Sequence, residues 1–316
     1  MPGLIVRTVA AAAAFAAGLH IANADELGPT LQRIKDTGII AISYREGTIP
    51  LSYAVTDGQP AGLALDLCGL VAASIKDRLG LPDLKVTYQL ATASEAASLL
   101  EKSAIAIDCG ATPVTPELEK QAVFSNPVFI SELTWLVPRR LRVERDGRRR
   151  RHIETIEPLS PGDLRDQTIA LVKGSPGIPV VLSLSSDQTL GLSIVEGKDN
   201  AEAFKLLETG KASALIADDA QLAALKASAK NPDAFGFLSG GYPGASYALM
   251  VRKDDPQIKA LADGVLSDAA KSGNYAKLYA KWFESPIPPK DVTLAYPMPA
   301  KLKEALKVHE EQPAGQ

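Results

Sequence analysis

Histidine is scarce in this chain, with three in 316 residues. His20 sits in an N-terminal apolar run, His152 in an arginine-rich stretch and His309 in the tail. A histidine general base, a Ser-His-Asp triad and most zinc ligand sets therefore lack the residues they need. Carboxylate catalysis by Asp218 or Asp219 stays open, yet no matched acid and base pair accompanies them. A Walker-type phosphate loop and a dinucleotide fingerprint are also missing, so neither a cofactor nor a metal is expected. The formal net charge is -3 with no basic bias, which removes nucleic acid as an expected partner. Beyond Ala24 no run is long and apolar enough to cross a bilayer.

Cysteine is nearly as rare, with Cys68 and Cys109 alone. Cys68 falls on an apolar helix and Cys109 at a strand end. Bridging them needs Cα atoms within about 7 Å, which a sequence does not show, so buried thiols are the expected state.

What is present reads as a secreted globular protein. In MPGLIVRTVAAAAAFAAGLHIANAD, Arg7 precedes an apolar run, and Ala22 and Ala24 flank Asn23. This predicts a signal peptide over residues 1–24 and a periplasmic product. The alternative, a membrane anchor, needs roughly 20 apolar residues, more than Thr8 to Leu19 provide. Hydrophobic residues make up 46% and charged residues 22% of the chain, an ordinary composition. The remaining length suits two domains of ~100–200 residues each.

Strand and helix patterns alternate. GIIAISY and LKVTYQL read as strands, LALDLCGLVAASIKDRLG as a helix stopped by Gly80, SEAASLLEKS as a helix and AIAID as a buried strand. The alternation predicts a largely parallel sheet covered on both faces. It restarts with TIALVKG, the loop GSPGIP, LSIVEG, NAEAFKLLETG, SALIADD and AQLAALKASAK, a second α/β unit. SYALMVRKDD returns to strand character. The two helical segments after it have no sheet of their own and are expected to dock on the first unit. Crossings are expected near Ile130 to Leu133 and Ser239 to Ser246, with a cleft between the units. Domain bounds follow: 25–130 with 247–290, then 134–240, then an extension over 291–316. The insertion at 139–163, with DG at its middle, reads either as a solvated loop or as a β-hairpin. Its arginines, Arg148 to Arg151, attract anionic surfaces.

Five stretches carry a family resemblance in order: TLQRIKDTGIIAISYREGTIPLSY, CGATPVTPELEKQAVFS, ALIADDA, YALMVRKDDPQ and KWFESPIPPK. Together they resemble the family 3 extracellular solute-binding proteins, nearest the glutamate/aspartate-binding branch. That resemblance implies an α/β fold, a type II periplasmic binding protein clamshell with a two-strand hinge, and no enzymatic role. It implies a monomer that captures an amino acid or a related polar or zwitterionic solute and delivers it to an ABC importer permease. By position it implies that Arg45 meets a side-chain carboxylate, that Asp218 takes an α-ammonium, and that Ser94, Thr112, Lys173 and Ser175 line the ligand. A guanidinium suits a carboxylate because it donates two parallel hydrogen bonds. Asp218 has a second reading as a helix N-cap, for which Asp219 is the better placed.

Other positions depart from the branch. Leu118 stands where it has the arginine for the α-carboxylate, Ala96 where it has a further arginine, Asn200 where it has a histidine and Pro176 where it has a threonine. Ala111 and Pro113 replace hydroxyl-bearing residues. A carboxylate buried without donors loses hydration uncompensated, so glutamate and aspartate are expected to bind weakly. Alternative readings are a transport-independent partner protein with a degenerate cleft, or a periplasmic dehydratase-like enzyme.

Overall fold

The computed structural model describes residues 27–311 apart from 56–57, 147–149, 157–159, 188–189 and 239–240. The expected signal peptide, residues 1–24, lies outside the described residues, as do Arg148 and Arg149. Helix α1 (Pro29–Thr37) leads into β1 (Ile39–Tyr44), and β2 (Gly47–Thr48), β3 (Ser52–Ala54) and β4 (Pro60–Ala61) form a small sheet. Then come α2 (Leu63–Leu79), β5 (Lys85–Leu90), α3 (Ala93–Glu101), β6 (Ile107–Pro113) and α4 (Pro116–Glu119). The long β7 (Ala122–Pro138) enters the second half, where β8 (Arg140–Asp146) and β9 (Arg150–Ile156) precede β10 (Thr168–Val172), α5 (Gly177–Asp187) and β11 (Ser193–Gly197). This half continues with α6 (Asn200–Glu208), β12 (Ala214–Asp218), α7 (Asp219–Ser228) and β13 (Phe235–Phe237). β14 (Tyr242–Arg252) returns to the first half, followed by α8 (Pro256–Lys271), α9 (Asn274–Tyr279), a π-helical turn at Ala280–Glu284, β15 (Pro286–Ile287), β16 (Val292–Thr293) and α10 (Ala300–Glu311).

Local chemistry accounts for most boundaries. In α2, Leu63, Leu67, Cys68, Val71 and Ile75 recur at helical spacing and are all fully buried, and Gly80 at φ 63° ends the helix in the left-handed region. α3 opens on a reciprocal capping box, in which Thr92 Oγ1 accepts from the Glu95 N–H and the Glu95 carboxylate accepts from the Thr92 N–H. The loop expected at GSPGIP ends early, because α5 begins inside it at Gly177.

The expectation of largely parallel pairing needs correction. Hydrogen bonding runs as one mixed sheet in the order β11-β10-β12-β7-β14-β6-β1-β5, with β13 also on β7. β7 and β14 pair antiparallel from Ala122↔Arg252 to Leu133↔Tyr242, and the end of β7 then pairs with β12 and β13. The two crossing strands thus belong to both halves of the sheet. Each half is covered on both faces. Leu31, Leu63 and Phe129 pack on one face of the first half, while Ala97, Leu100 and Met250 pack on the other. Trp135 and Ile169, and Leu136 and Phe204, do the same in the second.

Helices α8 and α9 join the core of the first half. Ile258, Tyr275 and Phe283 pack there, the Tyr275 hydroxyl donates to the Val128 carbonyl at 2.6 Å, and Trp282 Nε1–H donates to Asp66 at 2.7 Å. The insertion forms a hairpin rather than a loop: β8 and β9 pair antiparallel from Arg140↔Ile156 to Asp146↔Arg150, as a sheet of their own.

Cys68 and Cys109 are joined as a disulfide with Cα atoms 6.2 Å apart, which corrects the expectation of free thiols. The helical phase of α2 turns Cys68 onto the first half of β6, within bridging reach. No described helix is long and apolar enough to cross a membrane.

Candidate ligand-binding site

Between Asp108 and Thr112 the strand β6 swells. Asp108 pairs with Met250 and Thr112 with Ala248, so four steps on β6 face two on β14. Cys109, Gly110 and Ala111 stand opposite Leu249 alone and form a bulge, with Ala111 at φ 50°. Over it lies the Arg45 guanidinium. Its NH1 donates to the Ala91 carbonyl at 2.8 Å and to Asp108 at 3.0 Å, and its NH2 to Asp108 at 2.9 Å and to Thr112 Oγ1. Asp108 is fully buried and also accepts from the Ser43 and Thr112 hydroxyls, each at 2.6 Å. A Cβ on Gly110 would stand 2.3 Å from the guanidinium carbon, so only glycine admits this arrangement.

The second cluster lies at the end of β12, where the two halves meet. Asp218 accepts from the Ser131 hydroxyl of β7 at 2.6 Å and from the Tyr247 hydroxyl of β14 at 2.9 Å. Both crossing strands therefore hold one carboxylate. Burial, and then the neighbouring Asp218 charge, keep the Tyr247 phenol protonated well above its ordinary range. Asp218 lines a cavity of about 190 Å³ with Ser175, Pro176, Asn200, Gln221 and apolar neighbours including Ile216. The Ser175 hydroxyl is buried there without a partner among the described residues. The amides of Asn200 and Gln221 bond to each other.

Asp219, next in sequence, is fully buried and points elsewhere. It accepts from the Tyr296 hydroxyl at 2.7 Å and from the Ala220 N–H at 2.7 Å. Burial pushes its carboxyl up to about 6, against the pull of those hydrogen bonds. Asp218 occupies the N-cap position of α7 but makes no side-chain cap bond, whereas Asp219, the first residue of the helix, accepts the Ala220 N–H of its first turn.

The six residues singled out in sequence fall into three places. Arg45 and Thr112 meet around Asp108, and Ser175 and Asp218 share the cavity. Ser94, in the first turn of α3, and Lys173, just after β10, are exposed and outside that lining. Leu118 is buried in an apolar cluster with Ala96 and Phe124. Sequence reasoning missed Asp108, whose signal was available: an acid ending the apolar strand AIAID needs a buried partner. It also missed Ser131 and Tyr247, which carry no local signal because register alone brings them to Asp218.

Two α/β halves joined by antiparallel crossing strands, with polar clusters on each side of the junction, define a two-lobed binding protein of type II periplasmic architecture. Residues 40–285 match the bacterial extracellular solute-binding proteins, family 3, and the chain belongs to that family. The family is extracellular, which implies a periplasmic protein. The L-glutamate/L-aspartate-binding protein of Pseudomonas aeruginosa is 35% identical over 286 residues, 90% of this chain and 89% of its own. A glutamate/aspartate import solute-binding protein of Escherichia coli (strain K12) is 31% identical over 304 residues, 95% of each chain. These relatives are solute-binding proteins, not enzymes. Among solved structures, substrate-binding domain 2 of Lactococcus lactis GlnP in its open conformation matches with a TM-score of 0.61 at 18% identity, covering 78% of this chain and 96% of that one.

Proposed function

We propose that this protein is a periplasmic receptor that captures a small amine-bearing solute, an amino acid or a related polar compound, and delivers it to the permease of an ABC importer. The observation that carries the reading is Asp218, a carboxylate at a strand end, held by one hydroxyl from each crossing strand and lining a cavity. An ammonium placed there gains a charge-assisted hydrogen bond to a preorganised acceptor. The Nε–H of Arg45, a side chain that Thr112 helps to hold, offers the facing contact, and Ser94 and Lys173 sit at the rim. Residues 25–130 with 247–290 form one moving body and 134–240 the other, closing about the crossing strands. A solute that contacts both bodies favours the closed state through that difference in contact. The protein reaches the periplasm by cleavage after Ala24, which N-terminal sequencing of exported material checks. The direct test is calorimetry on ligand-stripped protein against amino acids and amines. Asp218→Asn is expected to weaken binding at least tenfold, about 1.4 kcal/mol, and an unchanged affinity would remove Asp218 from the site.

A further inference from the structure

Resting on that receptor reading, we infer that the solute is a cation without an α-carboxylate: a primary amine or guanidine rather than the corresponding amino acid. Among the described residues Arg45 is the one cation gathered at the first cluster, and Asp108 already neutralises it in a bidentate pair. Four N–H bonds of that guanidinium are committed within the protein, leaving Nε–H alone. The first turn of α4 supplies no cation either, because Leu118 is buried in an apolar cluster.

On the second side, the described residues lining the Asp218 cavity include one carboxylate and no cation. Leu133, Val172, Pro176 and Ile216 give it apolar walls. The start of α5 is the place where a carboxylate would find backbone donors, since helix N-termini attract anions. Here that mouth keeps only the Gly177 N–H among the first three positions of the helix. Pro176 has no N–H, the Ser175 N–H donates to the Val172 carbonyl at 2.9 Å, and the Ile178 N–H donates to the Ser175 carbonyl at 3.1 Å. Lys173 is exposed and outside the lining, a solvated charge. One negative charge therefore remains uncompensated in the junction, with a second acid, Asp219, beside it. The buried Ser175 hydroxyl, which has no partner among the described residues, is free to accept from an ammonium or guanidinium N–H. Asp218 and Ser175 are the specificity-determining pair.

Matched pairs of ligands isolate the missing carboxylate: lysine against cadaverine, arginine against agmatine, phenylalanine against phenethylamine. Calorimetry on ligand-stripped mature protein is expected to show an amine binding at least tenfold more tightly than its parent amino acid. Asp218→Asn removes at least tenfold of that affinity. Ser175→Ala breaks no bond inside the protein, so it keeps the fold, and it weakens amine binding several-fold. An amino acid that binds as tightly as its amine, with dependence on Asp218, overturns this inference and leaves the receptor reading standing. Binding of an amine that ignores both substitutions overturns the assignment of Asp218 and Ser175. Absence of binding by all six compounds at millimolar concentration overturns the inference and the receptor reading together.

Discussion

Arg45 and Asp108 form an ion pair with the acid fully buried and the arginine side chain 13% exposed. Such a pair stabilises little relative to apolar residues of similar volume, but removing one partner strands a buried charge. Arg45→Met alone is therefore expected to cost about 3–5 kcal/mol in denaturant unfolding, and the double variant Arg45→Met/Asp108→Leu distinctly less. Additive losses would contradict the coupling. Asp219 gives a pH test. Its carboxyl sits at about 6 when folded and near the ordinary value when unfolded, so between those values the folded state binds the proton more tightly. Its stabilising contribution is complete below about pH 4 and lost as pH rises through about 6. Measured against Asp219→Asn, the wild type is expected to lose on the order of 3 kcal/mol between pH 4 and 7, because each pH step between the two values weakens the folded state by about 1.4 kcal/mol. A flat difference across that range would contradict the burial argument.

At the level of elements, the disulfide ties α2 to the bulge formed by Cys109, Gly110 and Ala111. With a sequence separation of 41, closing the loop restricts the unfolded chain, and the Cys68→Ala/Cys109→Ala variant is expected to lose about 2–4 kcal/mol on unfolding. Equal stability of the oxidised wild type and this variant would refute it. The elements themselves were legible wherever a local signal existed. The periodicity and Gly80 stop of α2 marked that helix, and the apolar run of β12 ended in visible acids. What was not legible depended on partners far away in sequence. Proline and glycine at 174–179 read as loop, although Gly177 already starts α5. Nothing in YPGAS or ISEL announced that β14 and β7 would pair and merge two patterns into one mixed sheet. The bridge between Cys68 and Cys109 likewise required the packing of α2 on β6. In the site, Arg45 and Asp218 were visible as residue types in a family pattern, while the neutralising role of Asp108 appeared only with tertiary structure.

For the whole molecule, the C-terminal segment matters beyond its length. Tyr296 lies between the halves: its carbonyl accepts from the Tyr279 hydroxyl at 3.2 Å, its N–H donates to the Phe283 carbonyl at 3.1 Å, and its hydroxyl reaches Asp219 at 2.7 Å. Nearby, Lys301 of α10 pairs with Glu132 of β7 at 2.6 Å. The polypeptide is thereby fastened across the junction a third time, by side chains that do not line the Asp218 cavity. If the lobes close as proposed, such a latch would set the resting ratio of their two arrangements, and a ratio of that kind multiplies every association constant alike. Tyr296→Phe should consequently shift the dissociation constants of all ligands by one common factor, leaving their order intact, and titrations showing ligand-dependent factors would rule this out. Selectivity and strength of capture then sit in different parts of the chain, so each is open to change without disturbing the other.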